Sequence, residues 1–136
     1  MLEFAIGSGV LVSIFTGTFQ FGYTFYQYNL LLNAVNEGAR YAALRPYDST
    51  TTTPSTAFSN AVKNMVVYGN PTGGSAPVVP NLATSNVNIT VGFLNSVPRT
   101  MAVSISGYTI NSVFSSTTYT GKPRVTYSYQ GEFSPY

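Results

Sequence analysis

The chain has 136 residues, and only 7% of them are charged, whereas about a quarter of the residues in an ordinary soluble domain carry a charge. It contains no histidine, cysteine or tryptophan, which excludes zinc and haem sites of the usual type, a disulfide framework, and thiol or imidazole catalysis. A net charge of +2 is too weak a field to hold nucleic acid, so we expect no nucleic-acid partner.

The first predicted element is a long apolar stem over residues 1–45. Residues 4–36 are uncharged and no proline occurs before Pro46, so a single helix is predicted here. At about 1.5 Å per residue this helix would be about 65 Å long, whereas a bilayer core needs only about 20 residues. We therefore expect the apolar first part to span a membrane and the tyrosine-rich part after it to lie at the interface.

Small residues recur at every fourth position of the stem and line one helix face. They are Ala5, Gly9, Ser13 and Gly17. Such a face lets a second helix approach closely in apolar surroundings, so these residues are predicted to pack subunits together. The alternative is that glycine and serine are here only the ordinary composition of a membrane segment.

Glu3 stands alone at the edge of the apolar run, where a carboxylate is costly unless something neutralises it. Two interpretations stay open: Glu3 is solvated among lipid headgroups, or it pairs with a cation of another chain, most simply a free N-terminal amine. No basic residue precedes the apolar run. Either the protein inserts in the reverse orientation or, as we favour, a basic leader has been removed.

A separate head is predicted over residues 46–136. Apolar spacing over residues 57–66 predicts a short helix that Ser55 or Thr56 can cap. Alternating apolar residues predict three strands, at residues 87–93, 101–108 and 125–130, with turns at 95–98 and 121–123 and a short strand or helical turn at 109–114. The predicted fold class is α+β: a long N-terminal helical stem followed by a short helix and an antiparallel sheet.

The head contains few ionisable side chains and no arrangement typical of catalysis, so we expect no enzyme activity and predict no catalytic, cofactor-binding or metal site. Two glycosylation sites are possible. Asn88-Ile89-Thr90 fits the N-linked sequon, and the run Thr50, Thr51, Thr52 and Thr53 resembles an O-glycosylated stretch. The alternatives are a chance triplet in a strand and a solvated loop.

The stem resembles the start of a TadE-like protein, a type IV pilin relative of tight-adherence (Tad) pilus systems. The resemblance is carried by Leu2-Glu3-Phe4-Ala5 and by Glu37-Gly38-Ala39-Arg40 followed by alanines, and it covers residues 2–45. It implies a prepilin that is cut by a prepilin peptidase and inserted by the pilus assembly machinery. It also implies that Glu3 meets the N-terminal amine of an adjoining subunit.

Together these patterns predict a structural subunit that polymerises through its stem into an extracellular type IV-like pilus filament. The partners would be identical copies in a helical homo-oligomer and, before assembly, the cytoplasmic membrane, and surface adhesion would be a natural consequence. Two alternatives remain: a minor TadE-like pseudopilin of a Tad pilus machine, and a membrane-anchored binding module that the stem merely tethers.

Overall fold

A single helix forms the N-terminal third of the chain. The computed structural model describes residues 2–112 and 115–135. Its first helix, α1, is continuous over Leu2–Leu44, which confirms the predicted long N-terminal helix. No proline interrupts these residues, and the glycines within them weaken a helix without removing its hydrogen bonds.

The second helix, α2, covers Thr56–Tyr68 and has a defined cap at each end. Of the two predicted caps, Ser55 is the one used: its Oγ accepts a hydrogen bond of 3.0 Å from the backbone N–H of Phe58. At the other end Gly69 takes a φ of 67°, and its N–H donates to the carbonyl of Met65. A left-handed glycine is the usual way to satisfy the last carbonyls of a helix.

Three antiparallel strands form a meander in the order β1-β2-β3. They are β1 Val87–Leu94, β2 Val97–Asn111 and β3 Ser116–Ser128. The central residue Val103 lies opposite Ile89 on one side and Val125 on the other. Alternate apolar residues of all three strands therefore share one face, as the period of two predicted, and the predicted α+β class is confirmed.

The two predicted turns have different outcomes. Asn95 and Ser96 form the tight loop between β1 and β2, with φ values of 52° and 62°, and residues 97–98 already belong to β2. The turn predicted at 121–123 is wrong, because these residues lie inside β3, where Gly121 takes a φ of 72° beside an irregularity in the register. The sequence Gly-Lys-Pro is typical of a turn. Here β3 pairs with β2 both before and after these residues, so the strand continues through them as a β-bulge.

The separate short strand or helical turn predicted at 109–114 is absent from the described part of this segment. Its first three residues are the end of β2, and residues 113–114 lie outside the described residues. Because Thr109 still pairs with Thr118 of β3, β2 extends further than its apolar pattern suggested.

One hydrophobic core lies between the C-terminal half of α1, the helix α2 and one face of the sheet. Its fully buried members include Leu31, Val35, Ala39, Ala42, Phe58, Val62, Val66, Met101, Val103 and Ile105. Gly38 lies where the two helices cross, and a Cβ atom there would overlap the side chain of Val66. The second half of the stem is therefore part of the head's core, whereas the first half lies outside it.

The C-terminal segment holds the end of the stem in place. The carbonyl of Ala43 accepts hydrogen bonds from the backbone N–H groups of Gln130 and Gly131, at 2.9 and 3.0 Å. Tyr47, fully buried just beyond α1, packs edge-on against Phe58 and nearly parallel to Phe133. These contacts fix the direction in which α1 leaves the head.

Candidate functional site on the exposed stem

The first half of α1 extends from the head as a bare apolar rod. Large side chains are widely exposed along it, including Phe4 at 81%, Leu11 at 68% and Phe15 at 75%. Covering each one would contribute about 1.5–3 kcal/mol. The helix is also long and apolar enough to cross a membrane, with a mean hydropathy of 1.5 over an 18-residue window that is not buried in the protein. Such a surface requires a partner or a lipid environment.

The length of the free rod is close to the thickness of a bilayer core. Gln20 is the level at which the head begins, because its side-chain amide donates a hydrogen bond to Ser115 near the tip of the β2–β3 hairpin. From Glu3 to Gln20 the helix rises about 26 Å, compared with about 30 Å for the hydrocarbon region. Ser115 would therefore lie close to the membrane surface if the rod is inserted.

Aromatic residues are concentrated at that level. Phe21 and Phe25 stack with ring centroids 6.5 Å apart, and their side chains are 75% and 60% exposed. Tyr23 and Tyr26 are also exposed there. Aromatic rings favour the boundary between hydrocarbon and water, so their position agrees with the predicted interfacial role of this part of the stem.

The small-residue stripe lies entirely within the free rod. Ala5, Gly9, Ser13 and Gly17 are all exposed, and Cβ atoms added at Gly9 or Gly17 would meet nothing within 4 Å. Ser13 and Gly17 also border an open recess of about 610 Å³ that Ser115 closes from above, so the stripe lies on the head side of the stem. In the described part of the chain, no atom lies within 4 Å of where a side chain would begin at Gly9 or Gly17.

Several hydroxyl groups of the rod are satisfied within their own helix. Ser8 donates to the carbonyl of Ala5 at 3.0 Å, Ser13 to Gly9 at 2.9 Å, and Thr18 to Ile14 at 3.0 Å. A hydroxyl bonded to a preceding carbonyl needs no water. The serine and threonine content therefore does not prevent the rod from entering an apolar environment, whether lipid or protein.

Glu3 lies exposed in the first turn of α1, where the positive end of the helix dipole favours a carboxylate. The next charged residue along the chain is Glu37, about 50 Å further up the helix. Among the described residues of the rod, Glu3 is thus the solitary charged side chain, and it lies at the far end.

A groove that sequence reasoning missed runs between the stem and β3 at the base of the head. It measures about 410 Å³ and is lined by Phe21, Thr24, Phe25, Tyr28, Tyr119 and Lys122. The rings of Tyr28 and Tyr119 lie 5.4 Å apart and form its upper wall. Burial, with a smaller contribution from Tyr28, raises the pKa of Tyr119, which favours the neutral form of its phenol. Only the packing of β3 against the stem brings Lys122 here.

The candidate glycosylation residues are all accessible. Asn88 is exposed in β1, opposite Ser104 of β2, and Thr50 to Thr53 lie in an exposed loop before α2. Hydrogen bonds from Ser49 and Thr51 to the carbonyl of Thr53 order this loop. Modification at these positions stays a prediction.

Comparison with known proteins supports the resemblance of the stem. Residues 1–40 match the family model described as TadE-like protein. No curated protein and no solved structure matches the chain. The matched segment contains the free rod, the aromatic level and the Glu37-Gly38-Ala39-Arg40 sequence at the crossing with α2. The stem of this chain is therefore similar to that of TadE-like proteins, which is consistent with a pilin-like protein of the kind associated with Tad pili.

Proposed function

We propose that the chain is a non-enzymatic structural subunit that polymerises through its N-terminal helix into an extracellular type IV-like pilus filament. The exposed half of α1 supports this proposal most directly. It displays a continuous apolar surface that an isolated chain cannot cover, together with a stripe of small residues that a lone membrane anchor does not need.

The rod would be covered by two partners in succession. Before assembly the bilayer covers it, since its length is close to the hydrocarbon thickness and its aromatic residues lie at the interfacial level. After assembly the stems of other copies cover it, with the heads on the outside of the fibre. Hydroxyl groups bonded within the helix suit both environments.

The same surface accounts for an open assembly. The rod of one copy and the surface that receives it are different parts of the chain, so the contact is heterologous and need not close on itself. A prepilin peptidase and the pilus assembly machinery are the partners expected to release and insert such a stem. The finished fibre would then stand on the cell surface.

Bulky substitutions on the stripe test the proposal. We expect Gly9→Leu with Gly17→Leu to reduce the yield of sheared surface fibres at least about tenfold, because leucines hold neighbouring helices apart. The protein should remain in the membrane fraction. Normal fibre yield from this double variant would contradict packing through the stripe. If the unaltered chain never leaves the membrane under any condition, polymerisation itself is contradicted.

The stem offers a matched control for this experiment. Gly7 and Gly22 lie on the side of the helix away from the stripe, at about 100° per residue, and Cβ atoms added there also meet nothing within 4 Å. Gly7→Leu with Gly22→Leu adds the same bulk to the same rod. These substitutions should leave fibre yield within about threefold of the unaltered chain if the stripe is the packing face.

The composition of the fibres separates a main subunit from a minor one. If this chain is the dominant band of sheared fibres on a gel, it builds the filament. If it is a trace component beside another protein, the minor pseudopilin role is correct. The substitutions on the stripe would then act on incorporation of this chain and leave the amount of fibre unchanged.

A further inference from the structure

Two recesses beside the stem join into one continuous furrow. The groove of about 410 Å³ between the stem and β3 and the open recess of about 610 Å³ below it share two lining residues, Phe21 and Thr24. The joined furrow runs along the stem from Tyr28 to Ser13, a rise of about 22 Å. Aromatic rings wall most of its upper part, whereas the small residues Ser13 and Gly17 line its lower end.

The furrow crosses the level at which the rod would enter the membrane, which is close to Gln20. Its lower end at Ser13 lies about 10 Å below Gln20, within the hydrocarbon depth of about 15 Å that one leaflet provides. Its upper part begins at Phe21, within the headgroup layer of about 5–8 Å that covers the hydrocarbon. One end of the furrow therefore lies among acyl chains and the other among headgroups.

The upper part of the furrow has one charged lining residue, Lys122, which is exposed. None of the chain's four acidic residues, all of which lie in the described ranges, lines this groove. A lysine ammonium is a compact positive charge on a flexible stem and commonly binds phosphate. Tyr28 and Tyr119 line the same part, and a neutral phenol donates a hydrogen bond. This end of the furrow therefore suits an anion that accepts hydrogen bonds.

We propose that the furrow binds one anionic phospholipid of the bilayer before assembly, with the lipid phosphate at Lys122 and an acyl chain along Phe21 toward Ser13. The inference rests on the proposed function, because there the bilayer covers the rod of the unassembled subunit. A phospholipid fits better than a free phosphate ion, which would leave the apolar part of the furrow uncovered. The bound lipid holds the base of the head at the membrane surface, and it leaves when the stems of other copies cover the rod.

Native mass spectrometry of the full chain in detergent micelles tests this site. Phosphatidylglycerol is the probe, and phosphatidylcholine, which has the same phosphate but no net charge, is the comparison. We expect the unaltered chain to bind phosphatidylglycerol at least about fivefold more tightly, which is the contribution of one lysine near an anionic headgroup. Lys122→Gln should remove this preference, and Lys122→Arg should keep it.

Arg99→Gln is the matched control for charge. Arg99 is exposed on the head, and its carbonyl accepts a hydrogen bond from Tyr129, beside the segment that holds the end of α1. The substitution therefore removes one positive charge far from the furrow, and it should leave the preference within about twofold of the unaltered chain. An equal loss from Arg99→Gln, or no preference in the unaltered chain, overturns the inference.

Added bulk in the lower part of the furrow tests whether an acyl chain lies there. A Cβ atom at Gly17 meets nothing within 4 Å, so Gly17→Leu is compatible with the fold and narrows the furrow. It should weaken phosphatidylglycerol binding at least about fourfold, which is the contribution of one methylene group kept out of contact. Gly22→Leu is the control, because Gly22 is equally open and lies about 140° around the helix from Gly17.

Two results would show that the site takes phosphate alone and that the assignment to a phospholipid is wrong. One is unchanged binding of phosphatidylglycerol by Gly17→Leu. The other is displacement of the lipid by soluble glycerol phosphate at equal concentration. None of these measurements depends on fibres. Absence of fibres from the unaltered chain contradicts the proposed function, whereas loss of the lipid preference overturns only this inference.

Discussion

The crossing of α1 and α2 at Gly38 gives the sharpest test of the fold. A Cβ atom added at Gly38 would overlap Cγ2 of Val66 and would lie 3.6 Å from the Val66 Cα. Val66 is fully buried in α2, so any movement of its side chain has to be accommodated by the surrounding core. Gly38→Ala therefore has to push the two helices apart or force Val66 out of its rotamer.

The magnitude follows from two opposing effects. Overpacking of a well-filled core by one methyl group costs about 1–3 kcal/mol, and replacing a helical glycine by alanine returns about 1 kcal/mol. We expect Gly38→Ala to lower the free energy of unfolding by up to about 2 kcal/mol. Gly22→Ala is the matched control, because a Cβ there meets nothing within 4 Å, and it should leave the stability of the head unchanged or slightly raised.

The measurement is guanidinium unfolding of the full chain in detergent, followed by the near-ultraviolet circular dichroism of the head's tyrosines. Val66→Ala removes the obstructing methyl groups, so Gly38→Ala should cost less in that background, with a coupling of at least about 1 kcal/mol. If Gly38→Ala is more stable than the unaltered chain by the full helix-propensity gain of about 1 kcal/mol, or if the two substitutions are additive, the close crossing does not exist as described.

Three further predictions concern the head. Ser55→Ala removes the acceptor for the N–H of Phe58 and should lower the free energy of unfolding by about 1 kcal/mol in the same assay, with no change if the cap is unimportant. Ser96→Gly should raise it by up to about 1 kcal/mol, because glycine adopts the φ of 62° without strain, and a loss would argue against the tight loop. Burial raises the pKa of Tyr47 and of Tyr129, so the stability that these phenols contribute is fully present below about pH 10 and is lost as the pH rises above it. Absorbance titration of tyrosinate alongside circular dichroism should show ionisation and unfolding together, whereas ionisation of all tyrosines without unfolding would contradict the buried cluster.

On the proposed function, the stripe of Ala5, Gly9, Ser13 and Gly17 is the surface through which stems would pack closely. Substitutions on the stripe should therefore reduce the amount of fibre.

Local sequence was sufficient for the elements whose cause is local. An uninterrupted run of residues without proline determines the continuous helix α1, because every backbone hydrogen bond of a helix lies within the segment itself. The cap at Ser55 and the tight loop at Ser96 follow from the conformations that these short stretches favour. The strands at residues 87–93 and 101–108 follow from alternation with a period of two.

Tertiary structure decided the features that depend on distant parts of the chain. The Gly-Lys-Pro sequence at 121–123 signals a turn, and only pairing with β2 on both sides makes it a bulge within β3. The groove at the base of the head joins Phe21 to Lys122 across about a hundred residues, so no local pattern could reveal it. Composition separates the apolar first part of α1 from the tyrosine-rich part after it, but it does not show that the second part is buried against the head, since apolar side chains suit a core, a bilayer and a neighbouring subunit equally well.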